Sequence, residues 1–574
     1  MQQAIVRRES AGGEALAGAD LHPLLKRLYA ARGVTDAAQL DYGLASLARP
    51  EGFLGIEAAV SALADAVMQG QRITIVGDFD ADGATSTALA ALSLTRFGAR
   101  AVDYRVPSRF TDGYGLTPGI IAQLAQEAAL PDLILTVDNG IAAHDGVASA
   151  QEHGVSVVVT DHHLPGQTLP AAAAIVNPNQ PRCGFPTGNT AGVAVTFYVL
   201  SALRRQLEKA GWFSQAPPAM AEYLDLVALG TVADVVPLDH NNRTLVAQGL
   251  RRIRAGRTRP GIRALLERAG READTLQASD LGFVLGPRLN AAGRLDDMAV
   301  GIECLLTDDD SEAQRLACEL DRLNRERRAI ESDMRGEAEA ALARLHLDEG
   351  ELPPVLCLYD DQWHEGVIGL LASRLRERFH RPVIAFAPGG EGQLKGSARS
   401  VPGLHIRDLI AELDARHPNL LSRYGGHAMA AGMTLAAPAM EPFREAVTAL
   451  VRERVEPELL RPEILSDGEL EPDSLTLETA HLLARGGPWG QGFPEPVFDG
   501  EFELADQRIV GESHLKLQIS VPGWNTPLDG IAFNVDTDQW PASCRRVRLA
   551  YQLEANRFRG RERLQLRILH LEPV

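Results

Sequence analysis

Apolar residues fall into five successive textures along the chain. Through residue 70 they recur at helical intervals, over Leu16–Leu28, Asp36–Leu44 and Ile56–Met68. Short, nearly continuous apolar runs then appear at 73–77, 101–106, 132–137 and 155–160. They alternate with helical stretches near 84–97, 117–129 and 142–153. Strand-helix repetition with apolar strands predicts a parallel sheet covered on both faces. From Thr307 the stripe Leu316, Leu320, Leu323, Ile330, Met334, Leu342, Leu345 predicts one long helix, with no proline before Pro353. Such a helix of ~35 residues spans ~50 Å, enough to bridge two domains. Its other reading is a coiled-coil dimer seam, which the interruptions in the stripe disfavour. Residues 353–455 predict a second α/β unit: strands PVLCLYD and PVIAFA around a helix Val367–Phe379, then strand LKGSARS. YGGHAMAAGMTL reads there as a helix followed by a strand. From FDGEFELADQRIVG onward, about five short strands with turn signals predict a small barrel of the oligonucleotide-binding (OB) kind.

Polar residues interrupt this pattern where strands end. After the run at 73–77 come Asp78, Asp80 and Asp82, bracketed by Gly77 and Gly83, with a helical pattern from Ala84. Three like charges at one strand end repel. They read either as an acidic surface turn or as a site whose cation cancels the repulsion. The third strand ends in Asp138-Asn139-Gly140, and the fourth in Asp161-His162-His163. In an open parallel sheet all these positions share the carboxyl edge, where such folds place their sites. Asp234 lies in LVALGTVADVVPL between apolar runs, and a buried carboxylate needs a partner or a metal. Oxygen donors with an imidazole and no thiolate suit magnesium or manganese, the histidine tilting towards manganese. More carboxylates than one ion needs imply two ions sharing a ligand, an arrangement that cleaves phosphate esters.

Composition narrows the context. The 574 residues suit three or four domains, and 45% apolar content suffices for full cores. No run approaches the ~20 apolar residues of a membrane span, and MQQAIVRRESAGGEAL lacks a secretory apolar stretch. Cys183, Cys304, Cys318, Cys357 and Cys544 have no CxxC spacing, so neither a disulfide frame nor a zinc site is expected. A cytoplasmic protein follows as the expectation. A net charge of −19 argues against a nucleic-acid partner until the charge is located. Residues 251–271 carry eight arginines against one glutamate, and 540–574 eight against three. Each stretch is either a solvated face or a local phosphate track. Trp524, Phe533, Tyr551 and Phe558 near the second supply candidate base-stacking surfaces.

In their order, GDFDADG, VDNG, TDHH and ADVVPL resemble the successive motifs of the DHH phosphoesterase superfamily. Within it the chain is similar, over nearly its whole length, to the RecJ family of bacterial single-strand-specific 5′→3′ DNA exonucleases. The resemblance implies a two-metal hydrolase with Mn2+ or Mg2+ held by Asp78, Asp80, Asp82, Asp138, His162 and Asp234. Asp138 matches the bridging carboxylate. Other branches begin with a histidine where this chain has Val76, so Asp78 either compensates as a ligand or orients one. The implied catalytic set is Asp82, Asp138 and His163, with His163 on the scissile phosphate or in a purely structural role.

Substrate contacts are expected from several loops. In RVPSRFTDGYGL, Arg109 suits a phosphate fork and Tyr114 a base stack, unless the loop is simply packed. Arg288, Asn290 and Arg294 match a further RecJ motif, with a structural cap as the alternative. Ser397 and Arg399 suit a terminal 5′-phosphate. Gly425, Gly426 and His427 resemble the signature of the DHH-associated domain, which faces the metals across a cleft.

The expected architecture is α/β: a parallel-sheet DHH domain, a long connecting helix, a smaller α/β DHH-associated domain and an all-β OB-like barrel. The expected boundaries are 1–70 for a helical extension of the catalytic domain, 71–306, 307–350, 351–456 and 457–574. The implied role is DNA repair and recombination on single-stranded DNA, beside a single-stranded-DNA-binding protein and a RecQ-type helicase. A monomer without membrane contact is expected. Two alternatives stay open: a DHH phosphodiesterase for short oligoribonucleotides or cyclic dinucleotides, and an inactive nucleic-acid-binding scaffold.

Overall fold

A computed structural model describes residues 4–9, 16–109, 111–126, 130–344, 352–390, 392–511, 513–535, 540–541, 543–558 and 560–574, without the side chains of 341–344, 457–458 and 558. The N-terminal region is less helical than its periodicity predicts. It opens with a strand, Ala4–Arg7 (β1), and its α-helices cover only Pro23–Ala30 and Ile56–Gln69. The first starts late because Pro23 occupies its opening position and His22 caps it. Asp36 and Gln39 form a capping box around a single 3-10 turn, so 36–44 does not continue as a helix.

The expected parallel sheet is present. Its strands are Arg72–Val76 (β2), Ala101–Arg105 (β3), Leu133–Val137 (β4), Ser156–Thr160 (β5) and Ala174–Val176 (β6). They lie in the order β3-β2-β4-β5-β6, all parallel. Side chains alternate between faces: Leu133, Leu135 and Val158 join one apolar cluster, while Ile134, Val157 and Val159 join another on the opposite face. Both faces are thus covered, as continuous apolar strands require. The winding direction reverses at β2, which places the end of β2 at the crevice such sheets use for ligands. β6 is a strand that periodicity did not predict, being three residues inside an alanine-rich stretch.

The long helix runs Asp310–Arg344, 35 residues, with Asp310 and Glu312 in its first turn. Leu345, counted in its apolar stripe, lies outside the described residues. Beyond it, Leu356–Tyr359 (β7), Val383–Pro388 (β8), Gln393–Arg399 (β9), Arg423–Gly426 (β10) and Ala430–Ala436 (β11) form a sheet in the order β10-β11-β9-β8-β7. The helix expected from YGGHAMAAGMTL is instead a β10–β11 hairpin pairing Gly425 with Gly432, glycine being a poor helix former. A strand Glu463–Ser466 (β12) pairs in parallel with β1. Phe498–Val510 (β13), His514–Ser520 (β14), Leu528–Ala532 (β15), Arg546–Phe558 (β16) and Arg561–Pro573 (β17) close a five-stranded barrel.

Barrel and parallel-sheet domain share one apolar core. Trp489 and Phe493 stack at 5.1 Å and meet Tyr29, whose hydroxyl donates to Gly486 O. Arg32 forks onto Asp467 with two bonds of 2.9 Å, both side chains 1% exposed. The N-terminal region therefore ties the segment that leads into the barrel to the sheet domain, and Arg7 reaches β13 itself at Asp499, 2.8 Å away. Among the described residues no helix is long and apolar enough to cross a membrane.

Candidate active site

The β2–helix junction is built to hold carboxylates. Asp80 caps the following helix, Ala81–Arg96, accepting from Gly83 N at 2.9 Å. The helix thus begins three residues earlier than its apolar pattern suggests, and Asp82 falls in its first turn. A Cβ on Gly83 would lie 2.6 Å from Asp78 Cβ, and one on Gly77 2.2 Å from Thr87 Oγ1. The turn therefore admits only glycine at both brackets. Asp82 accepts Gly192 N at 2.7 Å and Val193 N at 2.9 Å, the first amides of helix Gly192–Lys209. That helix N-terminus, positive in character, steadies the carboxylate. Residues 192–193 carry no ionisable group, so inspection of charged motifs missed them. Asn290 spends its side-chain oxygen on Ala81 N at 2.7 Å, bracing the same turn.

Seven side chains converge at the carboxyl edge. Three groupings have ligand atoms within 4.8 Å of one another: Asp78, Asp80, Asp138; Asp82, His162, Asp234; and Asp138, His162, His163. His162 Nε2 lies 3.2 Å from Asp138 Oδ1 and 3.5 Å from Asp234 Oδ2. These three atoms are buried and have no hydrogen-bond partner among the described residues. Buried polar atoms are almost always satisfied. Three that are not, aimed at one another, fit a cation. Asp138 belongs to two groupings, as a bridging ligand does, and stands at φ 62°. A Cβ on Gly192 would sit 2.4 Å from Asp138 Oδ1.

Electrostatics gives the same reading. Burial first, then Asp80, pushes Asp78 up to about 7. Burial and Asp234 push Asp82 up to about 7 as well. Burial, then Asp82, likewise pushes Asp138 well above the usual carboxylate range, and burial, then Asp80, does so for Asp234. Without added positive charge the cluster resists full ionisation. Because the folded-state values of Asp78 and Asp82 exceed the ~4 of an unfolded aspartate, stability in chelator is full below about pH 4 and falls through about pH 7. Divalent cations favour the ionised carboxylates and remove that loss. The metal-induced stabilisation, read as a rise in Tm, is therefore larger at pH 8 than at pH 5, and one site at a hundredfold excess over Kd contributes ~3 kcal/mol. Thermal melts with Mn2+ or EDTA at both pH values check this; equal rises contradict it.

Asp161 serves a different purpose. Burial raises it, but the His163 hydrogen bond and charge prevail and hold it down at about 2. It accepts His163 Nδ1 at 2.7 Å and Ile141 N at 2.9 Å. Burial lowers His163, yet Asp161 outweighs it and raises the ring to about 9. With Nδ1 engaged, Nε2 lies 3.2 Å from Tyr114 Oη. Tyr114 meets Phe79 edge-on at 5.8 Å and is half exposed. Across the cleft, the His427 ring stacks 5.4 Å from His163. It follows β10, where Gly425 and Gly426 end the strand, Gly426 at φ 142°. Burial and both DHH histidines lower His427 to about 4.

Beside the carboxylates lies a group of half-buried arginines. Arg109 sits 4.1 Å over Phe79 and donates to Gly293 O. Arg294 donates to Gly366 O at 3.2 Å. Burial, then the charges of Arg109 and Arg399, lower Arg294 to about 9. Arg399 donates to Ser397 Oγ and Ser373 Oγ, both at 3.1 Å, and burial lowers it to about 10. Ser373 is a member that its sequence context, mid-helix, did not suggest. Three half-buried guanidiniums that repel one another concentrate positive charge beside the carboxylates. Arg288 stands apart: its partners are Asp321 on the long helix, at 3.0 Å, and Val284 O.

On the barrel, Trp524 and Phe533 are exposed, at 37% and 52%. Tyr551, expected as a stacking surface, is 0% exposed and packs on Phe498 and Phe502, because the inward phase of β16 carries it into the barrel. The Phe558 side chain lies outside the described residues.

Comparison with known proteins agrees with this layout. Residues 72–231 match the DHH family, N-terminal domain; 352–453 match the DHHA1 domain; 466–570 match the RecJ OB domain. The single-stranded-DNA-specific exonuclease RecJ of Dickeya dadantii is 56% identical over 96% of each chain. That of Escherichia coli is 53% identical over the full length of both. The crystal structure of RecJ with Mn2+ from Thermus thermophilus is 32% identical, with a TM-score of 0.80 over 100% of this chain and 79% of that one. Its Mg2+ counterpart is 30% identical, with a TM-score of 0.74 over 100% of this chain and 78% of that one. Motif order, domain order and full-length identity together place the chain in the RecJ family.

Proposed function

We propose that this chain is a metal-dependent exonuclease that removes 5′-mononucleotides from the 5′ end of single-stranded DNA, in DNA repair and recombination. The observation that carries the reading is the cluster of unsatisfied Asp138, His162 and Asp234 atoms beside an arginine pocket. Asp78, Asp80, Asp82, Asp138, His162 and Asp234 would hold two divalent cations, Mn2+ or Mg2+, with Asp138 placed to serve both groupings. Bound there, the cations supply Lewis acidity towards the phosphate and a water of lowered pKa.

The chain's own residues do the positioning. Asp161 fixes His163 so that Nε2 faces the cleft and holds a scissile-phosphate oxygen. His427 and the Gly425-Gly426 backbone close on the same phosphate from the other side. Arg109, Arg294, Arg399 and Ser397 bind the terminal 5′-phosphate. A terminal phosphate held beside the metal cluster makes the first phosphodiester the one cleaved, which sets both polarity and product length. Asn290 and Arg288 act behind this surface, through the Asp82 turn and the long helix. Tyr114 stacks on a base, and the barrel follows the strand with Trp524 and Phe533.

Replacing Arg399 by alanine removes a charge-assisted contact worth ~1.5–3 kcal/mol. The ratio of kcat/KM for 5′-phosphorylated over 5′-hydroxyl DNA then falls by roughly 10–100-fold, as paired steady-state assays read. An unchanged ratio assigns the 5′-phosphate elsewhere.

A cytoplasmic monomer, delivered to its substrate by a single-stranded-DNA-binding protein and a RecQ-type helicase, completes the proposal. The discriminating experiment offers the purified protein single-stranded and duplex DNA, RNA and a cyclic dinucleotide. Preferential degradation of single-stranded DNA is expected. Faster turnover of the dinucleotide favours a small-substrate phosphodiesterase, and no hydrolysis of any substrate favours a binding scaffold.

A further inference from the structure

The apolar stripe of the long helix breaks between Leu323 and Ile330, and neither the metal cluster nor the arginine pocket accounts for the break. Ahead of it, Leu320 and Leu323 belong to the core of the sheet domain. Past it, Ile330 and Met334 join the cluster that holds Trp363, Ile368 and Leu371 of the second α/β unit. The helix therefore changes cores at the break. The buried positions there carry Asn324, Arg327 and Glu331, which are 1%, 7% and 7% exposed.

Spacings of three and four place these side chains on one face of the helix. Arg327 donates Nη2 to Asn324 Oδ1 at 2.7 Å and Nη1 to Glu331 Oε2 at 3.0 Å. The other Glu331 oxygen accepts Nε of Arg374 at 2.9 Å. Arg374 lies on helix Ile368–Phe379, so the chain of polar contacts crosses from the long helix to the second α/β unit. Stability does not explain it. Asn324 Nδ2 and Arg327 Nε are buried with no hydrogen-bond partner among the described residues, which is costly. Buried ion pairs also gain little over apolar side chains of the same size, whereas they admit fewer arrangements.

A neighbouring face of helix Ile368–Phe379 backs the arginine pocket. Ser373, next to Arg374, accepts Arg399 Nε at 3.1 Å. A Cβ on Gly369 would stand 2.9 Å from both Arg399 Nη2 and Ser397 Oγ, so the helix lies directly against them. We propose that Glu331, oriented by Asn324 and Arg327, is a positioning residue for 5′-end selectivity. It holds Arg374, and with it the rotation of helix Ile368–Phe379, so that Arg399 and Ser397 meet Arg109 and Arg294 around one phosphate. The inference rests on the assignment of those four residues to the terminal 5′-phosphate. Glu331 belongs to no metal-ligand grouping among the described residues, so cleavage at an unphosphorylated end does not depend on it.

The test compares kcat/KM on 5′-phosphorylated and 5′-hydroxyl single-stranded DNA for the full chain and four variants: Glu331→Gln, Arg374→Met, Arg399→Ala and the Glu331→Gln/Arg399→Ala double. Glu331→Gln and Arg374→Met are each expected to lower the phosphate-over-hydroxyl ratio about tenfold, with the hydroxyl substrate changed by less than about threefold. Added to Arg399→Ala, Glu331→Gln is expected to move the ratio by less than about twofold, because its effect passes through that side chain. The Arg374 side chain is 52% exposed, so Arg374→Met reads the same contact should Glu331→Gln fail to fold. An unchanged ratio in Arg374→Met overturns the proposal. So does an equal loss on both substrates, or a full tenfold further loss in the double variant. An unchanged ratio in Arg399→Ala alone removes the phosphate assignment itself, and this inference with it.

Discussion

Asp82→Ala abolishes cleavage, lowering turnover on single-stranded DNA by at least about 1,000-fold, or ~4 kcal/mol of transition-state stabilisation. The reason is the position of this carboxylate. It is 1% exposed, belongs to the grouping with His162 and Asp234, and is aimed by two backbone amides of helix Gly192–Lys209. No substrate contact is assigned to it, so DNA affinity in a non-catalytic buffer stays within about threefold of wild type. Single-turnover cleavage and equilibrium binding, measured on the same preparation, separate the two effects. Near-normal turnover removes Asp82 from the mechanism. Parallel loss of binding and cleavage points to a misfolded turn instead.

Gly192→Ala is the second large effect and a less obvious one. The residue is neutral and touches no substrate. Its missing side chain, however, leaves the space in which Asp138 sits: a Cβ would stand 2.4 Å from Oδ1 and 2.7 Å from Cγ of that carboxylate. Real Cβ atoms do not approach so closely, so Asp138 must move. A displacement of ~1 Å in a reacting constellation costs ~100-fold in rate. Turnover is expected to fall by that order, with a weaker apparent Mn2+ affinity and a partial rescue at high Mn2+. Wild-type kinetics in this variant contradict the assignment of Asp138 as the shared ligand.

The contrast between these two residues shows which parts of the site the sequence makes legible. Charged groups at strand ends declare themselves, because an aspartate after a buried strand is costly without a partner. Asp78, Asp80, Asp82, Asp138, His162 and His163 are visible in this way, Asp234 by its place between apolar runs at a helix end, and the structure brings them together. What holds them is backbone and empty space: the amides of Gly192 and Val193, the missing Cβ of Gly192, and the Asn290 oxygen on Ala81 N. The three hydrogen bonds span 110, 111 and 209 positions and the Gly192–Asp138 approach 54, and no local pattern encodes them.

The fold divides similarly. Strands β2 to β5 and the 35-residue helix follow from local periodicity. The β1–β12 pairing does not, since its partners lie 459 positions apart and each is only four residues long. Tyr551 escapes the local pattern because an aromatic in a basic, strand-rich stretch has two phases, and only closure of the barrel decides that it points inward. Arginine counts mislead in the same way. Of the eight in 251–271, six tie their own helices to neighbouring segments, which a count of charges does not reveal.

The central claim is that a two-cation carboxylate edge removes nucleotides from a 5′ end. The most direct measurement is a time course on single-stranded DNA labelled at the 5′ end in one sample and at the 3′ end in another, with Mn2+ and with EDTA. The account predicts immediate release of 5′-labelled mononucleotide, a 3′-labelled ladder that shortens progressively, and no reaction in EDTA. Early release of the 3′ label, or cleavage that persists in EDTA, would contradict it.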